Sequence, residues 1–307
     1  MAAQHAGALP RRPDRIHWRP HLEGYLFIAP WLIGFVLFTL GPMVASALIS
    51  LTSFDILTPA RWLGLGNYAR LLNDKVFLNA VFNTLFYIAL AVPAQLLVAL
   101  GLALLLNLRV RGVGVFRTLF YLPTVVPAVA GVLLWVMLLQ PDFGLFNHLL
   151  RLVHLPGLPW LTDTTTAKPA LVLISLWYVG SQMLVFLAAL QGVPQELYDA
   201  ANIDGANALG RFRNVTLPMI TPALFFNIVI GIINASQTFT LAFIGTAGGP
   251  ANSTKFLVLY IYEQGFQSMR MGYASALAWA LLIFILLLTL LQFRFSRWVY
   301  YEGTARG

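Results

Sequence analysis

From residue 79 to residue 106 the chain reads NAVFNTLFYIALAVPAQLLVALGLALLL, a run without one Asp, Glu, Lys or Arg. A helix needs about 20 mainly apolar residues to cross the hydrocarbon core of a bilayer, and this run is longer than that. Five further windows read the same way, at roughly 25–51, 118–139, 169–190, 223–244 and 273–292, and none of them carries a charged side chain. Composition agrees. Hydrophobic residues make up 59% and charged residues 10% of the 307, against about 25% charged in soluble domains, and mean hydropathy is +0.77. Water could not accommodate that apolar surface and a bilayer can. The expected fold is an all-α integral membrane protein with six transmembrane helices.

Even parity puts both termini on one side, and the basic residues say which. Arg11, Arg12, Arg15 and Arg19 precede the first window, Arg109, Arg111 and Arg117 fill the second connection, Arg211 and Arg213 the fourth, and Arg294, Arg297 and Arg306 the tail. Those are twelve, against seven on the opposite connections: Arg61, Arg70, Lys75, Arg151, Lys168, Lys255 and Arg270. The positive-inside rule then makes the termini cytoplasmic, with a segment 1–24, a membrane domain 25–292 and a tail 293–307. The same rule accounts for the formal charge of +8 without nucleic acid. Ala45-Ser46-Ala47 resembles a signal-cleavage site, but the apolar stretch before it is too long for a signal core, so the first window reads as an anchor.

The residues exclude several chemistries. With no cysteine there is no disulfide, thiolate metal site or thiol nucleophile. Lys75, Lys168 and Lys255 do not follow glycine as the phosphate-binding loop G-x-x-x-x-G-K-[ST] requires. His148 and His154 lack a carboxylate cluster and read as solvated surface groups. Ion-coupled carriers keep ionisable groups or broken helices within their spans, and neither is legible here. A membrane enzyme would need more than the isolated Asp142 and Asp163, and a channel would show charge rings or a filter loop.

The connection 191–222 is long for a link between two helices. Pro194 suits a helix start, Glu196 and Asp199 lie near its positive end, and Gly205 suits a left-handed stop. Leu197, Ala200 and Ala201 then share one face, and a second short helix at about 206–212 sets Leu209 and Phe212 one turn apart. A generic loop of this kind would be an amphipathic connector lying on the membrane surface. Its residues say more: Asp199-Ala200-Ala201-x-x-x-Gly205, nine residues, then Val215-x-Leu217-Pro218 resembles the E-A-A-x-x-x-G-x9-I-x-L-P signature of membrane subunits of binding-protein-dependent ABC importers. Asp replaces Glu at 199, Val replaces Ile at 215, and Gly210 stands where the family often has glutamine before the Arg-Phe pair.

Neighbouring stretches resemble the carbohydrate branch of that family (the maltose, lactose and glycerol-phosphate type), over roughly residues 20–297. They include Gly64-Leu65-Gly66-Asn67-Tyr68, Asn83-Thr84, Phe116-Arg117-Thr118 with Leu122-Pro123, Leu190-Gln191-x-x-Pro194, Ile203-Asp204-Gly205-Ala206, Thr246-x-Gly248-Gly249-Pro250 and Met271-Gly272-Tyr273-Ala274-Ser275-Ala276. The resemblance implies a non-catalytic permease in a bacterial or archaeal inner membrane, with a coupling helix pair between spans four and five. It implies a second homologous permease, an ATPase dimer holding ATP and Mg below, and an extracytoplasmic solute-binding protein that delivers a sugar. No cofactor or metal is expected on this chain, and membrane lipid surrounds it. Docking on the ATPase would fall to Glu196, Asp199, Ala200, Ala201, Gly205, Val215, Leu217 and Pro218. The alternative function is an ion-coupled carrier of small polar solutes.

For the substrate path the fifth window offers Asn227, Gly231, Asn234 and Thr238, spaced four, three and four apart on one helix side, with Gln237 adjacent. Polar residues and glycine in that pattern also glue helices together. Trp177, Tyr178, Tyr273 and Trp279 are candidates for stacking on sugar rings or for anchoring at the membrane interface. The orientation is testable in this cysteine-free chain. Single cysteines at Gln4 and Ala305 should resist impermeant thiol reagents in intact cells while one at Asn252 reacts; labelling of both termini from outside would reverse the assignment.

Overall fold

The computed structural model describes residues 18–108 and 111–300, with side chains from residue 25 onward. Arg11, Arg12, Arg15, Arg109, Arg306, the labelling positions Gln4 and Ala305, and the side chain of Arg19 lie outside the described residues. The described chain is helical, with only one isolated antiparallel bridge, Thr52 to Trp62, outside the helices. It forms two units, 1–48 and 49–307.

The first unit holds most of α1, a 26-residue span Tyr25–Ser50 that passes through a wide turn at Val36–Leu40. Its large apolar side chains, among them Phe27, Trp31 and Phe38, are exposed as bilayer-facing residues are.

The second unit is built around α3 (Lys75–Leu106), which follows the short α2 (Gly66–Asn73). Ala80, Asn83, Thr84, Tyr87, Ile88, Ala91, Val92, Ala99, Ala103 and Leu106 are its buried residues, most of them three, four or eight from another as a broad packed face requires. Four of those are alanines that are fully buried. Small side chains let a neighbouring backbone come close, which is how membrane helices gain packing when lipid is as apolar as the core. Three apolar clusters gather on α3, around Tyr87 and Val92, around Ala99 and Ala103, and at Ala80. Around it lie α4 (Val113–Tyr121), α5 (Ala128–Leu138), α6 (Leu145–Leu152), α7 (Ala167–Ser175) and α8 (Gly180–Gln191). Next come α9 (Gln195–Ile203), α10 (Ala208–Arg211), α11 (Thr221–Ser236), α12 (Thr240–Thr246), α13 (Leu257–Tyr262) and α14 (Met271–Arg294).

One expectation is corrected. Unbroken spans were expected, yet only the first, second and sixth windows are single long helices; the others are bent pairs. Val113–Thr124 meets Ala128–Leu138 at 96°, where Pro127 cannot donate and forces Val126 out of the helical region. Ala167–Tyr178 meets Gly180–Gln191 at 52°. No proline acts there. Instead Gly180 nests in the first bend: a Cβ on it would stand 2.7 Å from the Phe120 carbonyl oxygen and 2.9 Å from Tyr121 Cα. Gly131 returns the favour, since a Cβ there would collide with Tyr178 Oη. Ala208–Met219 meets Thr221–Ser236 at 65°. Pro222 lacks the N–H that would reach the Pro218 carbonyl, and the Thr221 hydroxyl bonds that carbonyl at 2.7 Å instead.

The stretches outside the membrane windows on the Asn252 side are fastened by buried polar side chains. Asn147, 1% exposed, bonds Pro141 O, Leu158 O, Leu158 N and Trp160 Nε1. Asn83 on α3 donates to Asn252 O and Lys255 O and accepts from Lys168 Nζ at 3.0 Å, and Leu257 N donates to Thr84 Oγ1. Asp74 caps α3 through Val76 N and Phe77 N and accepts from Tyr260 Oη at 2.6 Å and Tyr273 Oη at 2.5 Å. Tyr273 is therefore a buried clasp, with Arg70 stacked on its ring, and no sugar-stacking surface.

Burial alone would raise the Asp74 carboxyl; the bonds from Tyr260, Tyr273 and the two amides outweigh it and hold it below the ordinary carboxylate range. A depressed folded value means that this stabilisation is complete above the ordinary carboxylate range and is lost as pH falls through the folded value. Asp74→Ala leaves two tyrosine hydroxyls and the first turn of α3 unpaired, so thermal unfolding in detergent should show a loss of about 1–3 kcal/mol, and the acid-side slope of wild-type stability should flatten.

Candidate functional site

The connection 191–222 forms two short helices and a long ramp. Pro194 is the N-cap of α9, and Glu196 lies in its first turn. Gly205 ends it at φ +72°, with Ala206 N reaching back to Ala201 O at 2.9 Å, the bonding pattern by which a left-handed glycine closes a helix. Asn207 then caps α10 by accepting from Gly210 N at 2.8 Å. Cross-ties make the pair one body: Arg211 donates to Asn202 Oδ1, and the Tyr198 and Thr216 hydroxyls bond at 3.0 Å. Gln195 donates to Asp199 at 3.2 Å, so Asp199 is engaged within its own helix.

The second short helix was expected to stop near Phe212. It runs on instead, through a wide turn at Phe212–Thr216 and the turn Leu217–Met219, as far as the 65° bend before α11. Val215, Leu217 and Pro218 therefore sit, half-buried, in the ramp rather than on the helix pair. Outward faces Leu197, with Ile203 86% and Leu209 72% exposed, beside the exposed Glu196, Asp199 and Ala200 and the half-buried Ala201. Gly205 has open space where a Cβ would stand, so no neighbour in the described chain blocks bulk there and only its left-handed backbone favours glycine.

The polar stripe of the fifth window divides. Asn227 is 2% exposed and donates to the Gln182 carbonyl on α8 at 3.3 Å, while Gly231 packs on Val92 of α3; both are interhelical packing. Gln237 is exposed and ends α11 as its C-cap. Thr238 lies beyond the helix end and donates to Asn234 O. Asn234 is exposed and borders two cavities, of about 270 and 340 Å³, that share Gln95, Ser175 and Tyr178 as walls and so form one crevice. Thr238 borders the first and Asn227 the second.

Three helix breaks converge on this crevice. Thr124 and Ala128 flank the bend of the third window, Tyr178 and Ser181 that of the fourth, and Thr238 and Phe239 lie in the gap between α11 and α12, with Thr240 at its edge. Broken backbone at membrane depth persists where it lines a cavity. Every polar side chain on the walls is uncharged: Tyr87, Gln95, Thr124, Ser175, Tyr178, Ser181, Gln182, Asn227, Asn234, Thr238 and Thr240. Two of them have work left over, because Tyr178 Oη and Gln182 Oε1 are buried without a hydrogen-bond partner among the described residues. Gln95 and Gln182 escaped the sequence reading, although glutamine inside an otherwise apolar span was a signal. Trp177 stacks edgewise on Tyr178 and Trp135 and stands behind the wall. No group of three or more metal-ligating side chains occurs among the described residues.

Asn227→Ala should lower helix-bundle stability by about 0.6 kcal/mol, the mean for an interhelical hydrogen bond, whereas Asn234→Ala should leave thermal unfolding unchanged. Equal losses would place Asn234 in the packing as well.

Comparison with known proteins adds an independent line. Residues 62–300 match the family described as binding-protein-dependent transport system inner membrane component. The probable ABC transporter permease protein YesP of Bacillus subtilis is 40% identical, covering 97% of this chain and 98% of the relative. The lactose transport system permease protein LacF of Rhizobium radiobacter is 36% identical over 90% and 94%. The glycerol-3-phosphate permease UgpA of Pectobacterium atrosepticum is 35% identical over 92% and 95%. Among solved structures, a bacterial ABC transporter that imports the acidic polysaccharide alginate shares the fold, with TM-score 0.80 at 24% identity over 92% of this chain and 98% of that one.

Proposed function

The chain belongs to the binding-protein-dependent transport system inner membrane components, and from that premise we propose that it is a sugar- or oligosaccharide-importing permease. It pairs with a second, homologous permease to enclose a path, receives substrate from an extracytoplasmic solute-binding protein, and rests on an ATPase dimer that carries ATP and Mg. The termini and the loop 191–222 face the cytoplasm. Relatives that carry lactose, arabinooligosaccharides and glycerol-3-phosphate by name support the substrate class.

The observation that carries the coupling role is the rigid pair α9–α10 with its outward Leu197, Ile203 and Leu209. Apolar side chains at such exposure favour a protein partner that covers them. Glu196, Asp199, Ala200, Ala201 and Gly205 form the contact face. Val215, Leu217 and Pro218 join it to α11 through the ramp, so a displacement of the pair turns α11 and with it Asn234 on the crevice wall. Coupling of this kind needs differential contact in two states and no chemistry in the loop. Asn227, Asn234, Gln237 and Thr238 are proposed for the path, with Asn234 and Thr238 at the crevice, Gln237 at its rim and Asn227 holding the wall.

ATP-driven uptake into proteoliposomes, with the binding protein present, tests both halves. Ala201→Trp should abolish substrate-stimulated ATP hydrolysis while the chain still inserts, because a large side chain on the contact face holds the surfaces apart. Asn234→Ala should lower uptake or shift preference across a sugar panel with the amount of assembled complex unchanged. Normal stimulation in Ala201→Trp rejects the coupling role; unchanged uptake kinetics in Asn234→Ala remove that residue from the path.

A further inference from the structure

A third cavity, of about 470 Å³, lies behind the coupling pair, away from the crevice. Asn107 at the end of α3, Arg117 on α4, Gln191 at the end of α8, and Gln195 and Tyr198 on α9 are its polar walls. Arg117 spends one donor on the Leu106 carbonyl at 3.1 Å, a favourable place for a cation because Leu106 is the last residue of α3. Its Nε is buried and has no partner among the described residues. A guanidinium is always charged and presents five donors in a fixed fork that suits phosphate, so a buried N–H left idle on it marks an acceptor that the described residues do not supply. The amino end of α9 borders the same cavity with no side chain capping it, adding partial positive charge.

The two helices that bring Asn107 and Arg117 also present exposed apolar side chains on either side: Leu105 and Leu108 on the α3 side, Val115, Phe116 and Leu119 on α4. A polar cationic cavity next to an apolar strip has the two-part chemistry of a phospholipid, headgroup in the cavity and acyl chains on the strip. The carboxylates nearest in sequence, Glu196 and Asp199, are exposed, and Asp199 is held by Gln195.

We infer that this cavity is a binding site for the phosphate of an anionic phospholipid such as phosphatidylglycerol, seated between the membrane helices and the coupling pair. The site rests on the cytoplasmic placement of this face, which the cysteine labelling checks separately. Because one wall is α9, an occupied site braces the coupling pair against the end of α3, and transport should depend on anionic lipid.

The test uses the whole transporter, purified into nanodiscs of phosphatidylcholine with or without phosphatidylglycerol, with retained lipid counted by native mass spectrometry and substrate-stimulated ATP hydrolysis followed alongside. The expected result is preferential retention of phosphatidylglycerol, weakened about tenfold in Arg117→Gln, together with loss of the activity gain that phosphatidylglycerol confers on the wild type. Gln191→Leu, which leaves the bond to Leu106 in place, should weaken retention in the same direction and decides the matter if Arg117→Gln does not assemble. Excess inorganic phosphate should not displace the lipid. Displacement by phosphate would assign the site to a free anion, retention only after the ATPase is stripped would assign the cavity to the ATPase, and equal retention by the variants would remove the site; each overturns the proposal.

Discussion

Everything in the larger unit leans on the buried face of α3. Inside a bilayer, apolar side chains gain little by leaving lipid for protein, so helices associate by close packing and by bonds between polar groups. Ala80, Ala91, Ala99 and Ala103 supply the closeness, fully buried and on one side of the helix. Tyr87, Asn83 and Thr84 supply polar groups on that same side. The three apolar clusters all include residues of this helix, and Gly231 of α11 meets it at Val92. A large residue in the seam would separate the helices that carry the crevice wall.

Polar bonding is unequally distributed along the molecule. On the Asn252 side, Asn147, Asn83 and Asp74 are each saturated by several partners. At the crevice, Tyr178 Oη and Gln182 Oε1 are left idle, and three helices break there rather than run through. A saturated buried network resists rearrangement, while an unsaturated one gains by taking a ligand. The mutual fit of Gly180 and Gly131 ties two of the breaks together, so movement of one bent span displaces the other.

How much of this was legible follows the physics of each signal. Six apolar windows, the helix start at Pro194 and the left-handed stop at Gly205 are local properties: all six windows are mainly helical, three of them interrupted, and Pro194 and Gly205 bound α9 as the residues indicate. Two of the bends had a proline signal, at Pro127 and Pro222, that went unread. The bend at Val179 was not legible, because it has no proline and Gly180 fits there against Phe120 and Tyr121, a contact between distant stretches. For the same reason the stripe at 227–238 misled: helical spacing puts Asn227, Gly231 and Asn234 on one side, but whether that side meets α3, α8 or a cavity depends on tertiary packing. Tyr273 could have stacked on a ligand by composition alone; Asp74, nearly two hundred positions away, makes it a clasp.

The absence of charge from the spans and the presence of breaks in them belong together. A charged side chain at membrane depth is expensive and serves ions or protons, whereas an uncharged hydroxylated solute needs donors and acceptors in roughly equal supply. Amides, hydroxyls and phenols give both without a desolvation penalty of the ionic kind, and a broken helix adds backbone groups to the same wall. Energy that an ion-coupled carrier would draw from a buried charge enters mechanically in the function proposed above. On that proposal its route runs from α9 and α10, along the ramp of Val215, Leu217 and Pro218, over the bend that Thr221 and Pro222 share, to Asn234 at the crevice.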